Sequence, residues 1–168
     1  MPIDDVYSWL KFVHVVGVLG FLTAHGASVS VSFRLRSESH RDRVQALLEL
    51  SGASLRIMYG SLLILVVAGV TAGLLGGWFT SSLWIWASLG LLLAMMAAMY
   101  YLGTAPFNEL RRASGLPWAI GSRRQPPEAP VSEAELAVLI SKGRPWALTA
   151  IGFGGITVIA FLMMFKPF

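Results

Sequence analysis

Two histidines, His14 and His25, lie eleven residues apart inside the first long hydrophobic segment of the chain. An ionisable side chain is costly inside a bilayer, so intramembrane histidines indicate a functional site. Eleven helical residues at about 100° each make about three turns, so both imidazoles project from one face, roughly 16 Å apart along the axis. This separation is too large for one shared metal ion, but it suits two sites stacked across a membrane.

Haem b is the first cofactor that these histidines suggest. Neutral imidazole is an axial ligand of haem, and helix bundles hold cofactors between side chains of facing helices. We therefore expect a haem b site at His14, with His25 as the second candidate ligand. Two haems with two histidine ligands each would need more histidines than the three present, of which His40 lies outside the hydrophobic segments. Further ligands must come from methionine or from another subunit.

Three methionines are predicted at the depths of the two histidines. Met95 and Met99 belong to the level of His25, and Met163 belongs to the level of His14. Thioether and imidazole groups suit Cu(I), so these five residues form a candidate metal-ligand set, and a copper site is an alternative to haem. Methionine also fills gaps in ordinary cores, so packing is the other interpretation.

The composition is that of a membrane protein. Of 168 residues, 55% are hydrophobic and 13% are charged, with a mean hydropathy of +0.66. Soluble domains carry about 25% charged residues. The absence of cysteine excludes disulfides, thiolate catalysis and cysteine-bound metal clusters. The net charge of +4 does not indicate a nucleic-acid partner, because eleven of the thirteen basic residues lie in or beside two connections between the spans, a pattern that membrane topology explains. The hydrophobic spans contain no carboxylate, which disfavours a proton-coupled transporter.

We predict an all-α fold: a four-helix transmembrane bundle in a single domain, retaining the first segment as a helix. Apolar runs of about 20 residues are long enough to cross a bilayer. The predicted spans are about 6–33, 55–76, 83–102 and 146–165, and the third connection covers about 103–145.

The two longer connections are expected to carry short interfacial helices. Val44, Leu47, Leu48 and Leu55 have helical spacing ahead of the second span. In the third connection we expect a short helix over 106–113. Ser132 to Glu135 reads as a capping box that opens a second helix, ending near Lys142 and Gly143. The apolar residues of that helix could dock a soluble partner or lie against the membrane; they are Leu136, Leu139 and Ile140.

The distribution of basic residues predicts the orientation. Eleven of the thirteen lysines and arginines fall on one side of the predicted membrane, which the positive-inside rule makes cytoplasmic. Both termini are then expected to face the periplasm of a bacterial inner membrane. The eleven residues are Arg34, Arg36, Arg41, Arg43, Arg56, Arg111, Arg112, Arg123, Arg124, Lys142 and Arg144.

One stripe of the first helix is expected to face the other helices. It gathers small and polar residues with the two histidines, and such residues mark contacts between membrane helices. The stripe comprises Tyr7, Leu10, His14, Gly17, Phe21, His25, Ser28 and Ser32. Glycine ridges in the second and fourth spans are expected to permit close packing; they are Gly69, Gly73 and Gly77, and Gly152, Gly154 and Gly155.

The opening segment WLKFVHVVGVLGFLTAHGASVS, followed by a basic linker and three more spans, resembles a broad group of small bacterial inner-membrane proteins. It looks like an uncharacterised four-helix integral membrane family. It is more distantly similar to copper-resistance D-like proteins and to HemJ-type protoporphyrinogen oxidases. The resemblance implies that His14 matches the haem-ligating histidine of the HemJ type and that Gly17 belongs to its cofactor segment. That family's lysine in a later span has no match here, so protoporphyrinogen oxidation is not expected.

The expected function is a small haem b-binding redox protein or the membrane subunit of an electron-transfer complex. Besides the lipid bilayer, candidate partners are a quinone and either a second copy or a larger membrane complex. The alternative is a cofactor-free accessory, assembly or small copper or proton transport protein, whose histidines are structural or handle protons. No catalytic residues are assigned.

Overall fold

A computed structural model describes residues 3–121 and 123–168 of the chain. About 80% of it is helical, and the only strands among these residues form one small hairpin, so the all-α prediction is confirmed. The long helices are α1 (Ile3–Leu35), α2 (Arg41–Leu75) and α4 (Leu83–Met99). The shorter ones are α3 (Trp78–Ser81), α5 (Ala105–Ala113), α6 (Glu133–Ser141), α7 (Pro145–Thr149) and α8 (Gly155–Phe165), and the strands are β1 (Trp118–Ile120) and β2 (Arg123–Gln125).

Four helical segments are long and apolar enough to cross a membrane, in agreement with the predicted number of spans. The first two are α1 and α2. The third span is Leu83–Ala113, in which α4 continues into α5, and the fourth span is Pro145–Phe165, in which α7 continues into α8. The residues predicted to form an interfacial helix ahead of the second span are helical, but they form the first turns of α2, which runs without a break from Arg41.

Each of the last two spans contains one wide helical turn. Tyr100–Thr104 joins α4 to α5, and Ala150–Gly154 joins α7 to α8, both as π-helix. Pro106 explains the first, because proline has no N–H to donate and its ring crowds the preceding turn. The predicted short helix over 106–113 is present as α5 (Ala105–Ala113), and it forms the end of the third span because it continues from α4.

The spans associate as two pairs. Helices α1 and α2 pack against each other along their lengths, and α4 packs against α8. The pairs meet where Leu92 and Ile156 pack on buried Phe21, Leu62 and Leu65. The stripe predicted for α1 is the buried side of that helix, since Gly17, Phe21, His25 and Ser32 are buried while Val15, Val16 and Leu19 are exposed.

One end of the molecule holds a compact apolar cluster, named here the connection core. It gathers the end of α1, the start of α2, α5 and α6, and it consists of Val31, Leu35, Val44, Leu48, Leu110, Ala113, Leu116, Leu136 and Ile140. Leu136 and Ile140 are therefore occupied within the chain and do not form a docking surface for a soluble partner. The start of α6 is as predicted, because the Ser132 side chain accepts a hydrogen bond from the Glu135 N–H.

At the other end, Trp78 links three of the spans. Its indole Nε1 donates to the Tyr7 hydroxyl of α1 at 3.3 Å. The Lys166 ammonium, just beyond α8, lies 3.9 Å above the Trp78 ring. A cation over an indole face is attracted by the ring quadrupole. The connection GWFTSS thus forms a short helix that ties the ends of α1 and α8 to α2.

Candidate functional site

His14 is held by a backbone group of α2. Its Nδ1 lies 2.6 Å from the carbonyl oxygen of Leu65. A carbonyl oxygen only accepts hydrogen bonds, so the imidazole must donate from Nδ1. The ring also lies flat against Gly69, where an added Cβ would come within 2.7 Å of Nδ1. The position and the tautomer of His14 therefore depend on two residues of the neighbouring helix.

Gly17 brings α1 close enough to α2 for this contact. A Cβ on Gly17 would lie 2.8 Å from the backbone nitrogen of Leu65, so the two helices touch there through their backbones. Small residues permit such close approach between membrane helices. The same Leu65 accepts the hydrogen bond from His14 one turn away along α1. Gly17, a predicted cofactor-binding residue, thus positions the imidazole through helix packing.

The hydrogen bond at Nδ1 leaves the Nε2 lone pair of neutral His14 available to a ligand. A metal-bound histidine commonly donates its other N–H to a carbonyl or carboxylate, which fixes the ring orientation. The ring is only half-buried, so it is not sealed inside the helix pair. His14 therefore has the tautomer that a metal-ligating histidine needs.

His25 lies deeper, with only 2% of its surface exposed. Phe21 stacks on its ring at 6.0 Å between centroids, and Phe153 tilts against it at 5.1 Å. The Nε2 atom abuts the fourth span at Gly152, where a Cβ would come within 1.9 Å. This atom has no hydrogen bond of ordinary geometry among the described residues, although the Leu148 backbone lies close enough to interact with the ring. The wide turn Ala150–Gly154 carries both Gly152 and Phe153, so it shapes the surroundings of His25.

His25 also borders a cavity of about 680 Å³, named here the basic cavity. It extends between α1, α2, the third span and the β1–β2 hairpin. Its apolar wall includes Val29, Leu55, Met58, Met99 and Leu148, and its polar lining includes Ser28, Arg56, Asn108, Arg111, Trp118 and Arg124.

Hydrogen bonds to the third span fix the hairpin over this cavity. The Asn108 side chain accepts from the N–H of Ala119 at 2.8 Å and donates to the carbonyl of the same residue. Arg111 donates from Nε to the Pro117 carbonyl at 2.8 Å and from Nη1 to the Leu48 carbonyl at 3.1 Å. Arg111 thus joins the hairpin to α2, and the cavity has walls tied by side chains as well as by backbone.

The three methionines predicted as ligands lie in different surroundings. Met99 lines the basic cavity together with His25. Met95 is buried against Gly155, and its Sδ occupies the space that a side chain at Gly155 would need. Met95 therefore packs α4 on α8. Met163 is half-buried in α8. Within the part of the chain that the structure describes, no group of three or more His, Cys, Asp or Glu could hold a metal ion.

The sequence interpretation missed the polar residues of the basic cavity. Sequence spacing assigned no ligand-binding role to Asn108, Arg111 and Trp118, because their contacts depend on the hairpin that folds back over α5. One signal was available: Gly121 and Ser122 separate two short runs, and Gly-Ser is a favoured hairpin turn. Gly121 has a φ of 58°, a left-handed conformation that glycine adopts without strain.

The chain matches no family model, no curated protein and no solved structure with which it was compared.

Proposed function

We propose that the protein is a small multi-pass membrane protein that binds haem b for electron transfer, with His14 as an axial ligand. The observation that carries the proposal is the hydrogen bond from Nδ1 of His14 to the Leu65 carbonyl. It selects the tautomer in which Nε2 can bind a metal, and it holds the ring in one orientation. Haem bound there would supply one-electron transfer.

The proposed setting is a four-helix bundle in a bacterial inner membrane with both termini in the periplasm. The four membrane-length helices and the position of eleven of the thirteen basic residues on one side of the predicted membrane support this topology. In this orientation His14 lies in the outer half of the bilayer and His25 in the inner half. A quinone in the same bilayer is the proposed electron partner.

The remaining ligands are proposed to come partly from outside the chain. No group of three or more His, Cys, Asp or Glu lies together among the described residues, so a second ligand for the haem would come from Met163, which is predicted at the depth of His14, or from a residue of another subunit. His25 is the weaker ligand, because its Nε2 faces the backbone of the fourth span. A role as the membrane subunit of a larger electron-transfer complex, or as a homo-oligomer, follows from this shortage of ligands. The resemblance to HemJ-type and copper-resistance D-like proteins agrees with a metal or haem site at His14 and stays a prediction.

Titration of the detergent-purified protein with haem tests the proposal. We expect saturable binding with one sharp Soret band in the wild type and loss of that band in His14→Ala. His40→Ala is the matched control, because His40 is exposed in the linker between α1 and α2. Equal binding by His14→Ala and the wild type would overturn the assignment.

A second pair of variants tests how the His14 ring is oriented and leaves the histidine itself unchanged. Gly69→Ala introduces a Cβ within 2.7 Å of the His14 Nδ1, whereas Gly60→Ala in the same helix meets nothing within 4 Å. We expect weaker haem binding, or a shifted reduction potential, in Gly69→Ala only. Identical haem binding and potential in both variants would show that the Leu65 contact does not position the ligand.

A cofactor-free accessory or transport protein is the second candidate function. The packing of His25 between Phe21, Phe153 and Gly152 favours it, because the imidazole there fills space as a core side chain does. If this function is correct, the purified protein binds no haem, and it binds copper only if the transported ion is copper. A proton-transport role then predicts pH-dependent flux in liposomes that disappears when His14 and His25 are both replaced.

A further inference from the structure

The basic cavity carries an excess of positive charge. Arg56, Arg111 and Arg124 line it, and Glu49 is the one carboxylate among its described lining residues. A cleft lined by one sign of charge concentrates ions of the opposite sign. The electrostatics of the cavity therefore favour an anion.

Arg111 forms no salt bridge among the described residues, although Glu49 lies close enough to attract its charge. Both of its hydrogen bonds go to backbone carbonyls, of Pro117 and Leu48, and the guanidinium has further N–H groups to donate. The adjacent Arg112, by contrast, pairs with the Glu128 carboxylate at 3.2 Å. Two neighbouring arginines thus differ in role, and the one that borders the cavity is held in place with donors to spare.

Two polar side-chain atoms at the cavity also lack partners. The Ser28 hydroxyl and the Trp118 indole N–H are buried without a hydrogen bond in the described part of the chain, and both residues line the cavity. Each of these atoms has less than 1 Å² of accessible surface, so both lie behind the cavity wall and the three guanidinium groups remain the polar groups that face an occupant.

The remaining wall of the cavity is apolar, with Val29, Leu55, Met58, Met99 and Leu148. A volume of about 680 Å³ lies in the range of cavities that enclose small organic ligands. A fully solvated anion would leave this apolar wall in contact with water. An occupant with an anionic head and an apolar body satisfies both parts of the lining.

We infer that the basic cavity binds the head group of an anionic phospholipid. The phosphate contacts Arg56, Arg111 and Arg124, and the first part of the acyl chains lies on the apolar wall. An anionic phospholipid and a soluble phosphate ester both carry a phosphate group. The apolar wall favours the lipid, because only the lipid has acyl chains that would cover that wall. This site is separate from the haem proposed at His14, and its binding is measured without haem.

Native mass spectrometry of the detergent-solubilised protein tests the site. The probes are phosphatidylglycerol and phosphatidylcholine with the same acyl chains, so only the head-group charge differs. Arg124→Gln is the test variant and Arg123→Gln is the control. Both arginines are exposed on β2, but only Arg124 lines the cavity, so the two variants remove the same charge from neighbouring positions.

We expect phosphatidylglycerol to bind more tightly than phosphatidylcholine, and Arg124→Gln to weaken its binding roughly fivefold, the factor that one basic residue contributes at an anionic membrane surface. Arg123→Gln should bind like the wild type. Equal binding of both lipids, or equal loss in both variants, would overturn the site and indicate general attraction to surface charge. Displacement of the lipid by inorganic phosphate at the same concentration would overturn the lipid as the source of the phosphate.

Discussion

At the residue scale, Leu65 of α2 contacts both Gly17 and His14 of α1. Its backbone nitrogen lies against Gly17 and its carbonyl accepts the hydrogen bond of His14. The glycine permits close helix contact, and the contact brings an acceptor within reach of the imidazole. The chemistry proposed for His14 therefore depends on the absence of a side chain one turn further along the same helix.

Gly152 has the corresponding role for His25, and its replacement tests that packing. A Cβ at Gly152 would come within 1.9 Å of the His25 Nε2, whereas one at Gly154 meets nothing within 4 Å. We expect Gly152→Ala to lose about 1–3 kcal/mol of unfolding free energy, a typical cost of overpacking a core.

The check is thermal or denaturant unfolding in detergent, with Gly154→Ala as the control of equal helix propensity. Equal stability of the two variants would show that His25 does not pack on the fourth span as described.

The candidate ligands were predictable from the sequence only in part. Helical spacing was enough to place His14 and His25 on the buried side of α1, because that inference needs only the period of the helix. The partners of the two imidazoles were not predictable. Leu65 contributes its backbone carbonyl, and Gly152 contributes the space that a side chain would fill. Neither contribution can be inferred from the residue type until it is known which helices are in contact.

At the element scale, the Glu38 side chain stabilises the connection between α1 and α2. Its carboxylate accepts from the backbone N–H groups of His40 at 3.2 Å and Ser39 at 3.1 Å, and Arg43 lies 3.9 Å away. These hydrogen bonds, foremost that of His40, lower the pKa of Glu38 below its ordinary value of 4.5. The carboxylate therefore holds the chain in the turn from which α2 begins.

A lowered pKa makes this contribution to stability dependent on pH. The stabilisation is complete above pH 4.5, the ordinary value, and is lost as the pH falls through the lower value of the folded protein. We expect Glu38→Gln to be less stable than the wild type at pH 7, with the difference shrinking in acid. Unfolding followed by circular dichroism between neutral and acidic pH measures it.

Glu109→Gln, at an exposed position, is the control for the loss of one negative charge. If the stability difference of Glu38→Gln stayed constant down to the lowest pH, the carboxylate would not be the capping group.

The bounds of the spans show what the sequence could predict at this scale. Hydropathy located all four spans, because the bilayer sets their minimum length. It did not locate the start of α2 at Arg41 or the end of the third span at Ala113, since both extend into the connection core with amphipathic sequence. Pro106 lies in the first turn of α5, as its position in the sequence predicts, and the wide turn before it joins α5 to α4 within the third span.

At the scale of the whole molecule, the connection core stabilises one end of the helices. Leu48 is 1% exposed within it, whereas Leu50 on the same helix is 54% exposed. We expect Leu48→Ala to cost about 2–5 kcal/mol of unfolding free energy, the usual range for a buried leucine.

Leu50→Ala should change the stability by no more than about 0.5 kcal/mol, as surface substitutions do. Chemical denaturation in the same detergent compares them. A similar loss in both would show that the connection core does not contribute to global stability.

The proposed membrane topology is testable because the chain contains no cysteine. Ser37→Cys lies in the connection between α1 and α2, and Ser81→Cys lies in the connection before the third span, and both positions are exposed. We expect a membrane-impermeant maleimide to label Ser81→Cys in cells with a permeable outer membrane, and Ser37→Cys only after the inner membrane is opened. The opposite labelling pattern would invert the proposed orientation.

The haem proposal is tested most directly by the reduced-minus-oxidised visible spectrum of the protein purified in mild detergent from cells supplied with haem precursor. We expect a Soret band and an α-band in the wild type and in His40→Ala, and neither band in His14→Ala. A well-folded wild-type protein without these bands, or the same spectrum in His14→Ala, would contradict it.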